Sequence, residues 1–306
     1  MSTVEQAGLS ISDFEIAYKK KLVHCERLIA GHTNLIYLLQ DEVGGRLIAR
    51  ISVIRSAEEL QYESKLHIYL SEHGIHCPRL VGTEYVYPIR DNESGIDYPS
   101  ILMEFIDGIH PESTQDLIIS GRELAKLHQI DVPSFARKRA GMNLDALKVL
   151  MYPSAFEHFI SRSLLKEVVC NVENSVIKSP QVLCHGDLFR INALIHNQTL
   201  YFLDLESMGA DAPLLDLGKA LFGMVTPRTT IIDRVLADAF ITGYADIRSI
   251  TQADLERLPL AAAMAGIQIG IWRYEYWRSH PNHYDITEDL WKDALKTSLA
   301  WLKFYF

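Results

Sequence analysis

The chain has 306 residues, 48% of them hydrophobic and 23% charged, with a formal net charge of −9. That length supports a sizeable core and two domains or lobes, and excludes a small module held together by staples. The acidity argues against a nucleic-acid groove, which needs clustered Lys and Arg.

The first ten or so residues, MSTVEQAGLS, carry neither the basic nor the apolar region of a leader and are expected to be disordered. Residues 22–51 alternate in polarity around two turn signals, AGHTN at 30–34 and DEVGG at 41–45, which predicts three antiparallel strands. AEELQYESKLHIYLSEHG, at 57–74, reads as a helix closed by Gly74. Two apolar strands are expected around 80–84 and 100–105. Beyond FIDGIHPES the periodic segments become helical: 114–129, 154–173, 213–224, 229–243, 258–278 and 286–304. A short strand cluster around 182–204 interrupts them. The basic run Arg137 to Arg139 is short enough to read as a solvated loop. The most apolar segment, LPLAAAMAGIQIGIW, is too short to span a bilayer and reads as a buried helix. The expected fold class is therefore α+β, with a β-rich lobe over residues 1–105 carrying one helix and a mostly helical lobe over 106–306.

Cys25, Cys77, Cys170 and Cys184 form no C-x-x-C pair, so neither a zinc site nor a disulfide framework is indicated, and reduced thiols in a cytoplasm fit best. The informative stretch is CHGDLFRINALI. Asp187 falls on a loop between a strand ending at Cys184 and another starting near Ala193; Asn192 lies five residues on, and Asp204 ends the next strand. Phosphoryl transfer needs such a set: a carboxylate to accept the proton of an attacking hydroxyl, and oxygen ligands to hold Mg²⁺ against phosphates.

At this point the chain resembles the aminoglycoside phosphotransferase and choline kinase superfamily, relatives of the protein kinases. HGDLFRIN matches its catalytic loop, FLDLE its metal-binding strand end and PLLDLGKAL the helix that follows. ILMEFIDG matches the hinge between lobes, and GRELAKLHQID the helix after it. The resemblance implies a two-lobed protein-kinase-like fold, ATP as phosphoryl donor with GTP as the open alternative, and Mg²⁺. Carried over, Asp187 is the catalytic base, Asn192 and Asp204 the metal ligands, and Asp216 a structural acceptor for loop N–H groups. Arg50 takes the place of the cation facing the nucleotide phosphates, with Glu63 rather than Glu58 or Glu59 as its ion-pair partner. Gly31, Thr33 and Asn34 occupy the phosphate-covering turn, which departs from a full G-x-G-x-x-G, and Glu104 lies at the hinge. Glu206 either assists the metal or caps a turn, and Arg190 is expected in a surface ion pair.

The resemblance further implies a small-molecule acceptor; the chain lacks the long activation segment and A-P-E ending with which protein kinases present a peptide. The tail GYADIRSITQADLERLPLAAAMAGIQIGIWR and the stretch RKRAGMNLDAL are similar to homoserine kinases of this fold. In IWRYEYWRSH, Trp272, Tyr274, Tyr276 and Trp277 stack with Glu275, and rings beside a carboxylate can hold an ammonium by charge and cation–π attraction, with Glu275, Trp272 and Tyr276 as the candidate contacts; the alternative is that the aromatic stripe, at helical spacing, simply packs in the core. Neither nucleic acid nor a membrane is expected as a partner, and the chain is expected as a monomer or homodimer. The rival reading is an inactive nucleotide-binding or partner-binding member, whose mark would be loss of Asp187, Asn192 or Asp204.

Overall fold

The computed structural model describes residues 9–28, 34–82, 84–91, 95–138, 154–176, 179–226, 230–280 and 287–306. The expected disorder of residues 1–8 and the turn residues Gly31 and Thr33 lie outside these. The chain divides into two compact units, Met1–Asp107 and Gly108–Phe306.

The first unit is a five-stranded antiparallel sheet ordered β1-β2-β3-β5-β4. Its strands are β1 (Leu22–Leu28), β2 (Asn34–Asp41), β3 (Arg46–Ser52), β4 (Tyr87–Arg90) and β5 (Asp97–Glu104). The central strand β3 is covered on both faces, which accounts for its run of buried residues from Ala49 to Ser52. One face packs Leu35, Tyr37, Leu39, Ala49 and Ile51 beneath Phe14 and Tyr18 of α1 (Ile11–Tyr18), a helix not anticipated from the sequence. The other packs Ile48, Ile101 and Met103 against Leu60 of α2 (Ala57–Glu72). Ser56 and Glu59 form a capping box at the start of α2, which commits Glu59 to the cap.

Among the described residues of the expected strand at 80–84, Leu80 makes only an isolated bridge to Met103. The fourth strand is β4, and Pro88 explains why its signal is weak. Proline cannot donate to a ladder, and β4 tolerates it by lying at the sheet edge.

The second unit packs α3 (Thr114–Leu127), α4 (Arg162–Val176), α5 (Pro213–Val225), α6 (Arg234–Ala245), α7 (Gln252–Ser279) and α8 (Glu288–Trp301) around two small strand pairs. The predicted helix at 154–173 resolves into a 3₁₀ turn, Ser154–Phe156, followed by α4. Helix α7 starts six residues before its predicted 258, because Thr251 and Asp254 form a capping box upstream of Pro259. Helices α3 and α6 cross where glycines meet backbone. A Cβ on Gly121 would lie 2.1 Å from the Phe240 carbonyl oxygen, and one on Gly243 2.0 Å from that of Ile118.

Strand β6 (Val182–Cys184) pairs with β9 (Gly209–Asp211), and β7 (Ala193–His196) with β8 (Thr199–Phe202). The β7–β8 hairpin turns on Asn197 and Gln198, both at positive φ, as a two-residue turn of this twist requires. Among the described residues no helix is long and apolar enough to cross a membrane.

Candidate active site

The loop from His185 to Asn192 joins β6 to β7, and its shape is set by buried groups behind it. Asp216, in the first turn of α5 and 1% exposed, accepts the His185 N–H at 2.9 Å and the Gly186 N–H at 2.6 Å. Gly186 sits at φ +82°, where a side chain would be strained. Asp216 also bonds His128 Nε2 at 3.0 Å, and His128 Nδ1 meets the Tyr244 hydroxyl at 2.8 Å. Donor atoms of His128, Cys184 and Asp216 lie within 4.8 Å of one another. With both Asp216 oxygens occupied by N–H groups or imidazole, the trio reads as a hydrogen-bond hub rather than a metal site.

His185 is fully buried. Burial lowers its pKa, against the opposing charges of Asp216 and Asp187. A neutral ring suits its bonds: Nδ1 accepts the Asp187 N–H at 3.2 Å, leaving Nε2–H to donate to the Leu203 carbonyl at 3.0 Å.

The Asp187 carboxylate is held from two sides. Asn192 Nδ2 donates to its Oδ2 at 3.0 Å and to its main-chain oxygen at 2.8 Å, and Lys219 Nζ lies 2.8 Å from Oδ1. Two acceptors on Asn192 Nδ2 fix the amide orientation and leave its carboxamide oxygen as a ligand. The hairpin register sets Asn192 and Asp204 at the same end of the β7–β8 pair. The Leu203 N–H donates to the Asn192 carbonyl at 2.9 Å, so Asp204 lies one residue beyond the point facing Asn192. Asp204 itself adopts φ 53° and ψ 67°, a left-handed conformation that Asp tolerates better than most residues. A carboxamide oxygen and a carboxylate are hard oxygen donors, the kind Mg²⁺ takes as its few protein ligands.

Helix α5 braces the whole loop. Asp216 holds its start and Lys219 its carboxylate, while Gly223 lets Leu188 and Phe189 approach; a Cβ there would be 2.7 Å from the Leu188 carbonyl oxygen. Among the described residues Arg190 makes no ion pair within salt-bridge distance, contrary to the surface pair expected of it, although Glu112 and Asp233 act on its charge. Its Nε donates to the Met224 carbonyl at 2.5 Å, where unpaired carbonyls at a helix C-terminus attract a cation. Lys219 was not singled out from the sequence. Its signal was present, since a residue three positions after Asp216 shares its helix face.

In the first unit, Arg50 on β3 pairs with Glu63 on α2. Arg50 is 6% and Glu63 1% exposed. Burial alone would raise the Glu63 pKa, but Arg50 and, at 3.9 Å, His67 outweigh it and lower it from 4.5 to about 2. Asn34 opens β2 opposite Ser52. Glu104 closes β5, its carboxylate accepting the Arg79 N–H at 3.1 Å.

The aromatic run on α7 divides by face. Tyr274 and Trp277 pack on Trp291, with Tyr274 at 5.3 Å and Trp277 at 6.4 Å between centroids. Trp272, 48% exposed, lies 5.7 Å from Tyr276, which is half-buried and stacks on His280 at 4.3 Å, and Glu275 is exposed. Between these faces Arg273 donates to the Leu290 carbonyl at 3.1 Å. Burial lowers its pKa against the opposing charges of Asp187 and Asp293.

A family model described as the phosphotransferase enzyme family (APH) matches residues 24–250. Among curated proteins, a homoserine kinase of Brucella canis is 23% identical over 263 residues, covering 82% of this chain and 78% of that protein. A homoserine kinase of Beijerinckia indica is 24% identical over 270 residues, covering 82% and 80%. Among solved structures, the amicoumacin kinase hAmiN in complex with AMP-PNP, Ca²⁺ and Ami superposes with a TM-score of 0.73 at 19% identity, covering 97% of this chain and 96% of that one. A choline/ethanolamine kinase family protein from Mesorhizobium loti gives 0.67 at 18%, covering 98% and 93%. These likenesses bear out the two-lobed kinase-like fold expected from the motifs.

Proposed function

The chain belongs to the phosphotransferase enzyme family, and from that premise we propose that it moves the γ-phosphoryl group of ATP to the hydroxyl of a small acceptor that also carries an amine. The observation that carries this reading is the Asp187 carboxylate, gripped by Asn192 and Lys219 on a loop anchored to buried Asp216.

In the proposed reaction Asp187 takes the proton from the acceptor hydroxyl. The freed oxygen pair forms the new bond to phosphorus, and the bond from phosphorus to the bridging oxygen breaks, its electrons leaving with the nucleoside diphosphate. Asn192 and Asp204 would hold Mg²⁺, which when bound neutralises charge on the phosphate oxygens. The AMP-PNP and Ca²⁺ named with hAmiN support nucleotide and divalent-cation use. Arg50 supplies a cation for the nucleotide phosphates, and its pairing with Glu63 fixes its fork. Gly31, Thr33, Asn34 and Glu104 complete the proposed nucleotide contacts. A cytoplasmic site of action, where ATP is supplied and thiols stay reduced, belongs to the same reading.

For the acceptor, the relatives named as homoserine kinases favour a hydroxy amino acid. Glu275 with the Trp272 and Tyr276 rings offers an ammonium site, and the Arg273 guanidinium a partner for a carboxylate. A coupled ADP-release screen over homoserine, amino alcohols such as choline, and aminoglycosides, with ATP and GTP as donors, tests this. Mg²⁺-dependent turnover with an amine-bearing alcohol is expected. Turnover confined to neutral or anionic acceptors contradicts the acceptor class, and nucleotide binding without any turnover contradicts the activity.

A further inference from the structure

Asp187 is flanked by a lysine that neither the H-G-D-x-x-x-x-N pattern nor the metal-binding strand end contains. Lys219 projects from the middle of α5, its side chain 16% exposed, and its ammonium lies 2.8 Å from Asp187 Oδ1. Asn192 takes the other carboxylate oxygen at 3.0 Å. The two donors approach from different elements, one from a helix and one from the end of the loop itself, so together they fix both the position and the rotation of the carboxylate plane. Each carboxylate oxygen has a second lone-pair direction.

Among the described residues Lys219 makes no other ion pair or hydrogen bond. Its helix is already tied to the loop by Asp216 at the start and Arg190 at the end, and Gly218, the residue before it, provides the close packing against Ala261. An ammonium that merely secured α5 could have been placed at any of these contacts. This one is placed on the carboxylate.

We propose that Lys219 is a positioning and charge-compensating residue for Asp187, holding the carboxylate in register with the acceptor hydroxyl and offsetting the negative charge that gathers where carboxylate, acceptor oxygen and phosphoryl group meet. Lysine suits this better than arginine would in a bidentate grip, because a compact ammonium on a flexible stem follows the carboxylate without occupying both of its oxygens. The gain is in the transition state, where charge is greatest, rather than in binding either substrate.

The inference rests on the reading of Asp187 as the base, and a double-mutant cycle separates the two. Steady-state kinetics are measured for Lys219→Met, Lys219→Arg, Asp187→Asn and the Lys219→Met/Asp187→Asn pair, with nucleotide affinity and thermal midpoint as controls on folding. Lys219→Met is expected to lower kcat about 10²-fold while both KM values move less than about threefold. Lys219→Arg should recover most of that loss. In the Asp187→Asn background Lys219→Met should cost less than about threefold more, because the group it serves is gone. Near-normal kcat in Lys219→Met beside a dead Asp187→Asn overturns this proposal alone, as does an undiminished loss in the double variant. Near-normal turnover in Asp187→Asn overturns the base and the proposal with it. Should Lys219→Met not fold, Lys219→Gln, which retains hydrogen bonding without charge, takes its place in the same cycle.

Discussion

Arg50 and Glu63 illustrate how a buried ion pair binds function to stability. Both are almost wholly enclosed, so removing Arg50 leaves the Glu63 charge buried without its main partner, with His67 at 3.9 Å beside it. Arg50→Ala should therefore destabilise the first unit by about 3–5 kcal/mol in chemical denaturation, in addition to raising the KM for nucleotide. The pH dependence follows from the sign of the Glu63 shift. Its pKa is lowered from 4.5 to about 2, so the pair contributes fully above 4.5 and its contribution is lost as pH falls towards 2. Acid unfolding of the wild type should show this loss, and Glu63→Gln should flatten the profile over the same window. At the proposed metal site, Asp204→Ala is expected to abolish Mg²⁺-dependent nucleotide binding and Asn192→Ala to weaken it less, because a carboxylate neutralises charge and an amide contributes only a lone pair. Calorimetric metal titrations check the ranking; unchanged affinity in both variants would place the metal elsewhere.

Helix α5 carries the argument at the scale of elements. Asp216, Lys219, Gly223 and the Met224 carbonyl meet the proposed catalytic loop through backbone or charge, and the Phe222 ring meets Phe189 edge-on at 6.4 Å. Gly223→Ala should thus cost activity disproportionately. Its Cβ would press on the Leu188 carbonyl and the Phe189 ring, shifting the loop by tenths of an ångström, with a stability loss of about 1–3 kcal/mol and a larger fractional fall in kcat. A loss in stability with kcat intact would mean the loop is not braced here. Much of this element was legible in PLLDLGKAL, where the apolar period marked a helix and Asp216 an internal acceptor. The role of Arg190 was not. A cation that caps a carbonyl 34 residues away leaves no local pattern, whereas an ion pair on the surface is the default for an arginine in a loop. Strand β4 was missed for a related reason, since Pro88 is a break signal in isolation and acceptable only once the strand is known to be an edge. The start of α7 was placed late because Pro259 reads as a helix start when the capping box upstream goes unread.

At the scale of the whole molecule, the order of motifs along the chain was more informative than any one of them. H-G-D alone is a common tripeptide, but Asp187, Asn192 and Asp204 in that order, with a helix carrying Asp216 behind them, constrain loop, hairpin and proposed metal ligands together, and the family match over residues 24–250 spans all of them. The acceptor is the least legible part. Tyr274 and Trp277 turned out to pack on Trp291, leaving exposed Glu275 and Trp272 and half-buried Tyr276 on the other face. Glu275→Gln should raise the KM for an amine-bearing acceptor and leave the KM for nucleotide unchanged, and an effect on nucleotide alone would remove this face from the acceptor site.

The central claim is that Asp187 acts as the base for phosphoryl transfer. It is tested most directly by the turnover of Asp187→Asn, in which the amide can still accept a hydrogen bond but cannot take the proton. With nucleotide affinity and fold retained, kcat should fall about 10²- to 10⁴-fold. A correctly folded Asp187→Asn protein that releases ADP and phosphorylates its acceptor at close to the wild-type rate would contradict the account.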